Sequence, residues 1–167
     1  MRDKVKVYFS HGKESGPWGS KIKRLAQVAQ AHGCSVDSID YSSIHDPDLR
    51  VELLVKTLAE EEDDFILVGS SMGGYVSLVA AEQVKAQGVF LLAPALYMKG
   101  YAKQEYERST FIEIVHGWSD DIIPVESSIK FAKSNDCSLH LISGDHRLNT
   151  SIEVVEKLFS QFLISQT

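Results

Sequence analysis

The sequence has 167 residues, of which 44% are hydrophobic and 24% charged, a balance typical of one globular domain with a substantial core. Its formal net charge of -6 argues against a nucleic-acid partner, which would require clustered lysine and arginine. No stretch approaches the roughly 18 consecutive apolar residues of a membrane span, and the first residues lack the apolar run of a signal peptide. We therefore expect no membrane span and a cytoplasmic location.

Strand and helix patterns alternate along the chain, which indicates an α/β protein with a parallel sheet covered by helices on both faces. In chain order, we predict strand 5–10, helix 19–32, strand 35–40, helix 47–60, strand 65–69, helix 72–87, strand 88–93, strand 111–116, helix 124–133, strand 138–142 and helix 150–165. The second helix has a capping residue, Asp46, followed by Pro47 at its first position. Residues 1–167 are expected to form a single domain around this six-stranded sheet.

The most informative motif is residues 69–73, which read Gly-Ser-Ser-Met-Gly at the junction of a predicted strand and a predicted helix. Such a junction holds its central residue, Ser71, on a tight turn with the hydroxyl exposed at the end of the strand. The flanking glycines are needed because a Cβ there would collide with the neighbouring strand or helix. The motif predicts a nucleophilic serine at Ser71, with Ser70 as the alternative one residue earlier.

Two nucleotide-binding motifs fit the sequence less well. The dinucleotide fingerprint G-x-G-x-x-G would need a glycine where Ser71 stands. A phosphate-binding loop would need a glycine five residues before Gly12, where the sequence has Val7. The serine-centred interpretation is therefore favoured.

A nucleophilic serine needs a general base, and the base needs an acid that orients it. Both follow Ser71 in the order Ser, Asp, His that is expected for this architecture. Asp120 comes shortly after the predicted strand 111–116, and His146 comes shortly after the predicted strand 138–142. Because the carboxyl ends of parallel strands meet at one edge of the sheet, we expect the three side chains to lie close together.

Four segments resemble the signature regions of the α/β-hydrolase superfamily. They are residues 69–74, 116–124, 144–146 and 9–13, the last resembling the His-Gly turn after an early strand of that family. The resemblance covers nearly the whole chain and implies a minimal α/β-hydrolase fold that lacks the family's first two strands. The expected strand order is then 4-3-5-6-7-8 in the family's own strand numbering. The family pattern H-G-x-x-D-x-x-[V/I]-P also places the acid at Asp120 and not at Asp121.

The resemblance further implies an oxyanion hole made by the backbone N–H groups of Met72 and Lys13, with the ring of His11 bracing the turn. It implies no cofactor and no metal. About 17 residues, 94–110, occupy the place where larger relatives insert a lid, which is too short for a lid domain. Trp118 and Tyr97 are candidates for substrate contacts and, equally, for partly buried scaffold aromatics.

Together these features predict a serine hydrolase, and a carboxylesterase acting on a small acyl substrate is the first hypothesis. A thioesterase or acyltransferase using the same triad is an alternative, as is a non-catalytic binding protein on the same fold. The intact Ser, Asp and His favour an enzyme. The oligomeric state stays open.

Overall fold

The computed structural model describes residues 4–167. Residues 1–3, which begin the N-terminal segment in which no signal peptide is expected, lie outside the described residues. Six parallel strands form one sheet in the order β2-β1-β3-β4-β5-β6. The strands are β1 (Lys6–Ser10), β2 (Ser35–Ile39), β3 (Phe65–Ser70), β4 (Gly88–Leu92), β5 (Phe111–Gly117) and β6 (Ser138–Ile142). The helices are α1 (Ser20–Ala31), α2 (Pro47–Leu58), α3 (Met72–Ala80), α4 (Val125–Asn135) and α5 (Ile152–Gln166), the last preceded by a 3-10 turn at Asn149–Ser151.

The strand order confirms the predicted topology, since β2-β1-β3-β4-β5-β6 is the expected order 4-3-5-6-7-8. All five strand pairings are parallel. Central strands β3 and β4 consist of nearly uninterrupted buried residues because helices cover both of their faces. The carboxyl ends of all six strands therefore lie along one edge of the sheet, where the connecting loops can bring distant residues together.

Alternate residues of each strand feed two separate cores, one on each face of the sheet. Leu67 belongs to the core under α2 and α3, whereas its neighbours Ile66 and Val68 belong to the core under α1 and α5. The second core is rich in aromatic rings, and Phe90 lies 5.1 Å from Phe159 between ring centroids. None of the helices within residues 4–167 combines the length and the apolar character needed to cross a membrane.

Helix α3 is shorter than predicted, since it ends at Ala80 and not at residue 87. Side chains from a distant segment bind the backbone that follows it: Ser109 donates to the carbonyl of Ala81, and Thr110 donates to the carbonyls of Ala86 and Gln87. These tertiary hydrogen bonds replace the helical ones that the local sequence would allow.

Residues 93–110 contain neither helix nor strand, and they are held in place by polar contacts to α2 and α3. Tyr75 donates a hydrogen bond to Asp48 over 2.6 Å, and the same carboxyl group accepts from the backbone of Ala102 over 3.0 Å. The Lys103 ammonium group lies 3.0 Å from Glu82. The segment thus packs onto the body of the protein as an irregular strap, and residues 4–167 contain no lid domain, as predicted.

Candidate active site

The junction between β3 and α3 holds Ser71 in an unusual backbone conformation, with φ 55° and ψ -119°. A non-glycine residue in such a region costs on the order of 1–3 kcal/mol, which the surrounding contacts must offset. A Cβ at Gly69 would overlap the carbonyl of Gly73, and a Cβ at Gly73 would overlap the carbonyl of Ser10. The two glycines therefore allow the strand and the helix to approach closely enough to present Ser71 at the sheet edge.

The structure brings Ser71, His146 and Asp120 into one hydrogen-bonded chain. His146 Nε2 lies 3.1 Å from Ser71 Oγ, and His146 Nδ1 lies 2.7 Å from Asp120 Oδ2. With its Nδ1 proton donated to the carboxylate, the imidazole presents a free Nε2 lone pair to the serine hydroxyl. Asp121, the neighbouring acid, is exposed.

Four donors surround the Asp120 carboxylate, whose side chain is 0% exposed. The backbone N–H groups of Ile122 and Ile123 donate to Oδ1 over 2.9 and 2.8 Å. His146 and His116 lie on the other oxygen, Oδ2, at 2.7 and 3.1 Å. Burial acts to raise the pKa of Asp120, but the hydrogen bonds from His146, Ile123 and Ile122 outweigh it and hold the pKa below its usual value. The acid is therefore a carboxylate at neutral pH.

His116, at the end of β5, extends the chain behind Asp120. Its Nδ1 lies 2.7 Å from the hydroxyl of Ser128, and its Nε2 is shared between Asp120 and the carbonyl of Ile123. Burial lowers the pKa of His116, so that the ring is neutral and its Nε2–H is the donor. The local sequence shows no sign of this contact apart from the four-residue spacing of His116 and Asp120.

The two residues whose backbone N–H groups are expected to form an oxyanion hole, Met72 and Lys13, line the same cleft as Ser71. Met72 is the first residue of α3, and Lys13 follows the His-Gly pair after β1. Within residues 4–167, neither N–H donates to another protein group. Neither N–H is therefore committed to a protein acceptor within the described residues.

Two buried side chains fix the turn before Lys13. The backbone N–H of Tyr41 donates to His11 Nε2 over 2.8 Å, so the ring proton lies on Nδ1, which donates to the carbonyl of Gly12 over 2.8 Å. Arg50, which is 0% exposed, donates to the carbonyls of His11 and Gly12 over 3.1 and 3.2 Å. The bracing role expected of His11 is therefore observed. The part played by Arg50 was not predicted; its one local signal is that it lies four residues before Leu54 on the buried face of α2.

The cleft in front of Ser71 has a volume of about 920 Å³, room for a small organic ligand. Its walls include Met98 and Tyr101 of the irregular strap, Ile122 and His146. In residues 4–167, no three His, Cys, Asp or Glu side chains are grouped so as to hold a metal ion.

Neither of the two aromatic residues suggested as substrate contacts lines this cleft. The ring of Tyr97 packs edge-on against Tyr106 at 5.2 Å, and the ammonium group of Lys130 sits 4.0 Å from its centroid. Trp118 is 58% exposed in the loop after β5. Tyr97 is consequently a scaffold aromatic, and the loop geometry leaves Trp118 at the surface.

Several solved structures share this architecture. A candidate hydrolase of the alpha/beta superfamily from Xanthomonas campestris pv. campestris is 28% identical, with a TM-score of 0.90 over 98% of this chain and 99% of that one. Est1E from Butyrivibrio proteoclasticus is 20% identical, with a TM-score of 0.82 over 98% and 88%. A serine hydrolase without a lid from Xanthomonas campestris is 16% identical, with a TM-score of 0.73 over 96% and 81%. No curated protein matches the sequence significantly.

Residues 6–112, which include Ser71 but neither Asp120 nor His146, match the uncharacterised protein family UPF0227. The match spans more than half of the chain. The structural neighbours named above are α/β-hydrolases or share that fold, and one of them is lidless. The protein therefore belongs to the uncharacterised protein family UPF0227, and within the α/β-hydrolase superfamily it is a small member without a lid domain.

Proposed function

We propose that this hydrolase is a single-domain carboxylesterase that cleaves small acyl esters through a covalent acyl-enzyme on Ser71. One observation supports the proposal above all others, namely the continuous hydrogen-bond chain that runs from Ser71 through His146, both of which line the cleft, to the buried Asp120. A serine hydroxyl needs such a base to act as a nucleophile at neutral pH.

In the first half of the reaction, Ser71 Oγ attacks the ester carbonyl carbon and its proton moves to His146 Nε2. Asp120 holds the imidazole in the required tautomer and stabilises the imidazolium that forms. The carbonyl oxygen gains the negative charge, and the N–H groups of Met72 and Lys13 stabilise it, an effect of about 2.7–4 kcal/mol for each donor. The intermediate then expels the alcohol, which takes the proton from Nε2, and the acyl group stays on Ser71.

In the second half, water enters the site vacated by the alcohol. His146 Nε2 accepts a proton from this water as its oxygen attacks the acyl carbon, and the same two N–H groups stabilise the second oxyanion. Collapse of this intermediate returns the proton to Ser71 Oγ and releases the carboxylic acid. The enzyme thereby returns to its starting protonation state.

Esters are the favoured substrate class because an alkoxide leaves more readily than an amine. Est1E, at 18% identity and a TM-score of 0.80, has a structure with ferulic acid, a carboxylic acid, bound. The proposal for this chain nevertheless depends on its own triad.

The test combines an active-site label with a substrate panel. A fluorophosphonate probe should modify one residue, Ser71, as identified by mass spectrometry of the proteolysed protein. Ser71→Ala should abolish labelling and lower kcat by roughly 10⁴–10⁶. Ser70→Ala is the matched control, since it removes the neighbouring hydroxyl while leaving the triad intact, and it should be labelled normally.

Acyl esters and thioesters of the same chain length then separate the remaining activities. Faster turnover of thioesters would make the protein a thioesterase, and transfer of the acyl group to an added alcohol in preference to water would make it an acyltransferase. Folded protein that neither reacts with the probe nor hydrolyses any member of the panel would overturn the proposal in favour of a binding protein.

A further inference from the structure

The cleft differs in charge from the rest of the molecule. Four basic side chains line it, each from a different part of the chain: Lys13, Lys21, Lys99 and Arg147. Glu14 is the one Asp or Glu that faces them among the described lining residues. The whole protein has 17 Lys and Arg against 23 Asp and Glu, so the surface beyond the cleft is strongly acidic. A positive cleft in a negative protein focuses anionic ligands toward the site.

The cations of the cleft also lack acidic partners. Within residues 4–167, none of the four has a carboxylate oxygen within 4.0 Å. The Lys21 ammonium group reaches only the carbonyl oxygen of Arg147, at 3.4 Å. These positive charges are therefore available to a ligand.

Lys21 is the most informative of the four because it is partly buried. Burial lowers the pKa of Lys21 to about 8, with the charge of Arg147 acting in the same direction and those of Asp120 and Asp145 opposing it. Neither carboxylate forms an ion pair with it: the Asp120 carboxylate lies 2.7 Å from His146 Nδ1, and Asp145 accepts from the backbone of Leu148. A partly desolvated ammonium group without an anion gains more from an incoming anion than a fully hydrated one does.

From this arrangement we infer that the preferred substrates are acyl esters carrying a carboxylate or phosphate group, which pairs with Lys21 in the cleft. The inference rests on the proposed esterase function and adds the charge class of the substrate. The basic residues at the rim, Lys13, Lys99 and Arg147, raise the local concentration of such anions.

Two pairs of esters test it, each differing mainly in charge. 4-Nitrophenyl hydrogen adipate and 4-nitrophenyl hexanoate have the same number of acyl carbons, and 4-acetoxybenzoate and 4-acetoxybenzamide have the same acetyl group. After correction for uncatalysed hydrolysis, the anionic member of at least one pair should have a kcat/KM about tenfold higher, as expected for one partly screened charge pair. The pair that shows the preference tells whether the charge belongs on the acyl group or on the alcohol.

The preference ratio is the kcat/KM of the anionic ester divided by that of its neutral partner. Lys21→Met should reduce this ratio most of the way to one, chiefly through a higher KM for the anionic ester. Lys23→Met is the matched control, because Lys23 is an exposed lysine of the same helix that does not line the cleft, and its ratio should equal that of the wild type. Lys99→Met, at an exposed rim position where folding is not at risk, should lower the ratio by a smaller factor.

Salt and pH provide independent readouts. The wild-type ratio should fall in about 1 M salt, where the Debye length shrinks to roughly 3 Å. It should also fall between about pH 7 and pH 9 as Lys21 loses its proton, a change that Lys21→Met should not show. Equal kcat/KM values within both ester pairs, or a ratio that Lys21→Met leaves unchanged, would overturn the inference. Normal turnover of the neutral esters in that case would leave the esterase proposal intact. Absence of turnover for all four esters, with no labelling of Ser71, would contradict the esterase proposal itself.

Discussion

Arg50 donates a hydrogen bond to the carbonyl oxygen of Gly12 over 3.2 Å, and this contact determines the direction of the Lys13 N–H in the same peptide group. The Gly12 carbonyl and the Lys13 N–H belong to one planar trans peptide, so they point in opposite directions. Since His11 binds the same carbonyl over 2.8 Å, two donors hold the peptide plane. Arg50 is thus a positioning residue for the proposed oxyanion donor at Lys13.

Arg50→Met should therefore lower kcat by up to about 100-fold while KM changes little, because a misdirected donor weakens transition-state binding more than substrate binding. Activity is to be measured well below the melting temperature, with circular dichroism to verify folding. Arg24→Met serves as the control, since Arg24 is a partly exposed arginine that pairs with Glu156 and does not line the cleft. A loss of activity that follows only the loss of folded protein would show that Arg50 has a structural role alone.

Asp120→Asn should reduce kcat on the order of 10⁴-fold, because the amide cannot keep His146 in the required tautomer or stabilise its cation. The matched variant is Asp121→Asn, which alters an exposed carboxyl group one residue away and should retain most of the activity. Steady-state kinetics on one short-chain ester distinguish the two. A larger loss for Asp121→Asn would reverse the assignment of the acid.

The free energy of unfolding should fall as the pH drops from about 7 to about 5. Burial lowers the pKa of both His11 and His116 in the folded protein, so the unfolded chain binds protons near pH 6.5 while the folded chain does not. Each such histidine contributes a slope of up to about 1.4 kcal/mol per pH unit, with stability rising as the pH rises. The stability from these groups is fully present above the unfolded-state pKa and is lost progressively below it.

Urea unfolding of the wild type and of His116→Gln at several pH values checks this expectation. Glutamine keeps a hydrogen-bond donor near Asp120 but cannot be protonated, so the variant should show a smaller slope in this pH range. Identical slopes for the two proteins would mean that His116 has the same pKa in the folded and the unfolded state.

The absence of a lid leads to a prediction about acyl chain length. Each CH₂ that enters the cleft contributes about 0.8 kcal/mol of burial, so kcat/KM should rise with chain length over about two to six carbons and then level off. No jump in rate is expected above the micelle threshold of the substrate, because Asp48 of α2, Tyr75 of α3 and Glu82 after α3 hold the irregular strap at residues 93–110. A kcat/KM that keeps climbing past twelve carbons, or a sharp rise at the micelle threshold, would show that this strap moves like a lid.

Much of the fold follows from the sequence alone, because local patterns encode it. Buried parallel strands appear in the sequence as runs of apolar residues, and the helices between them appear as apolar residues repeated at helical spacing. Ten of the eleven predicted elements therefore match observed ones closely, and α3 alone ends well short of its predicted end. The motif around Ser71 is also local, because glycine is required at positions 69 and 73, where a Cβ would overlap neighbouring backbone. The order of Ser71, Asp120 and His146 then places all three at the sheet edge once the strands are known to be parallel.

The tertiary structure decides what depends on residues far apart in the chain. Arg50 reaches a carbonyl 38 positions away, and Ser109 and Thr110 end α3 early by binding its downstream carbonyls. Likewise, Lys21 and Arg147 meet in the cleft although 126 positions separate them. No periodicity or short motif records such contacts, because their geometry is fixed only when the sheet has formed and its loops have been brought to one edge.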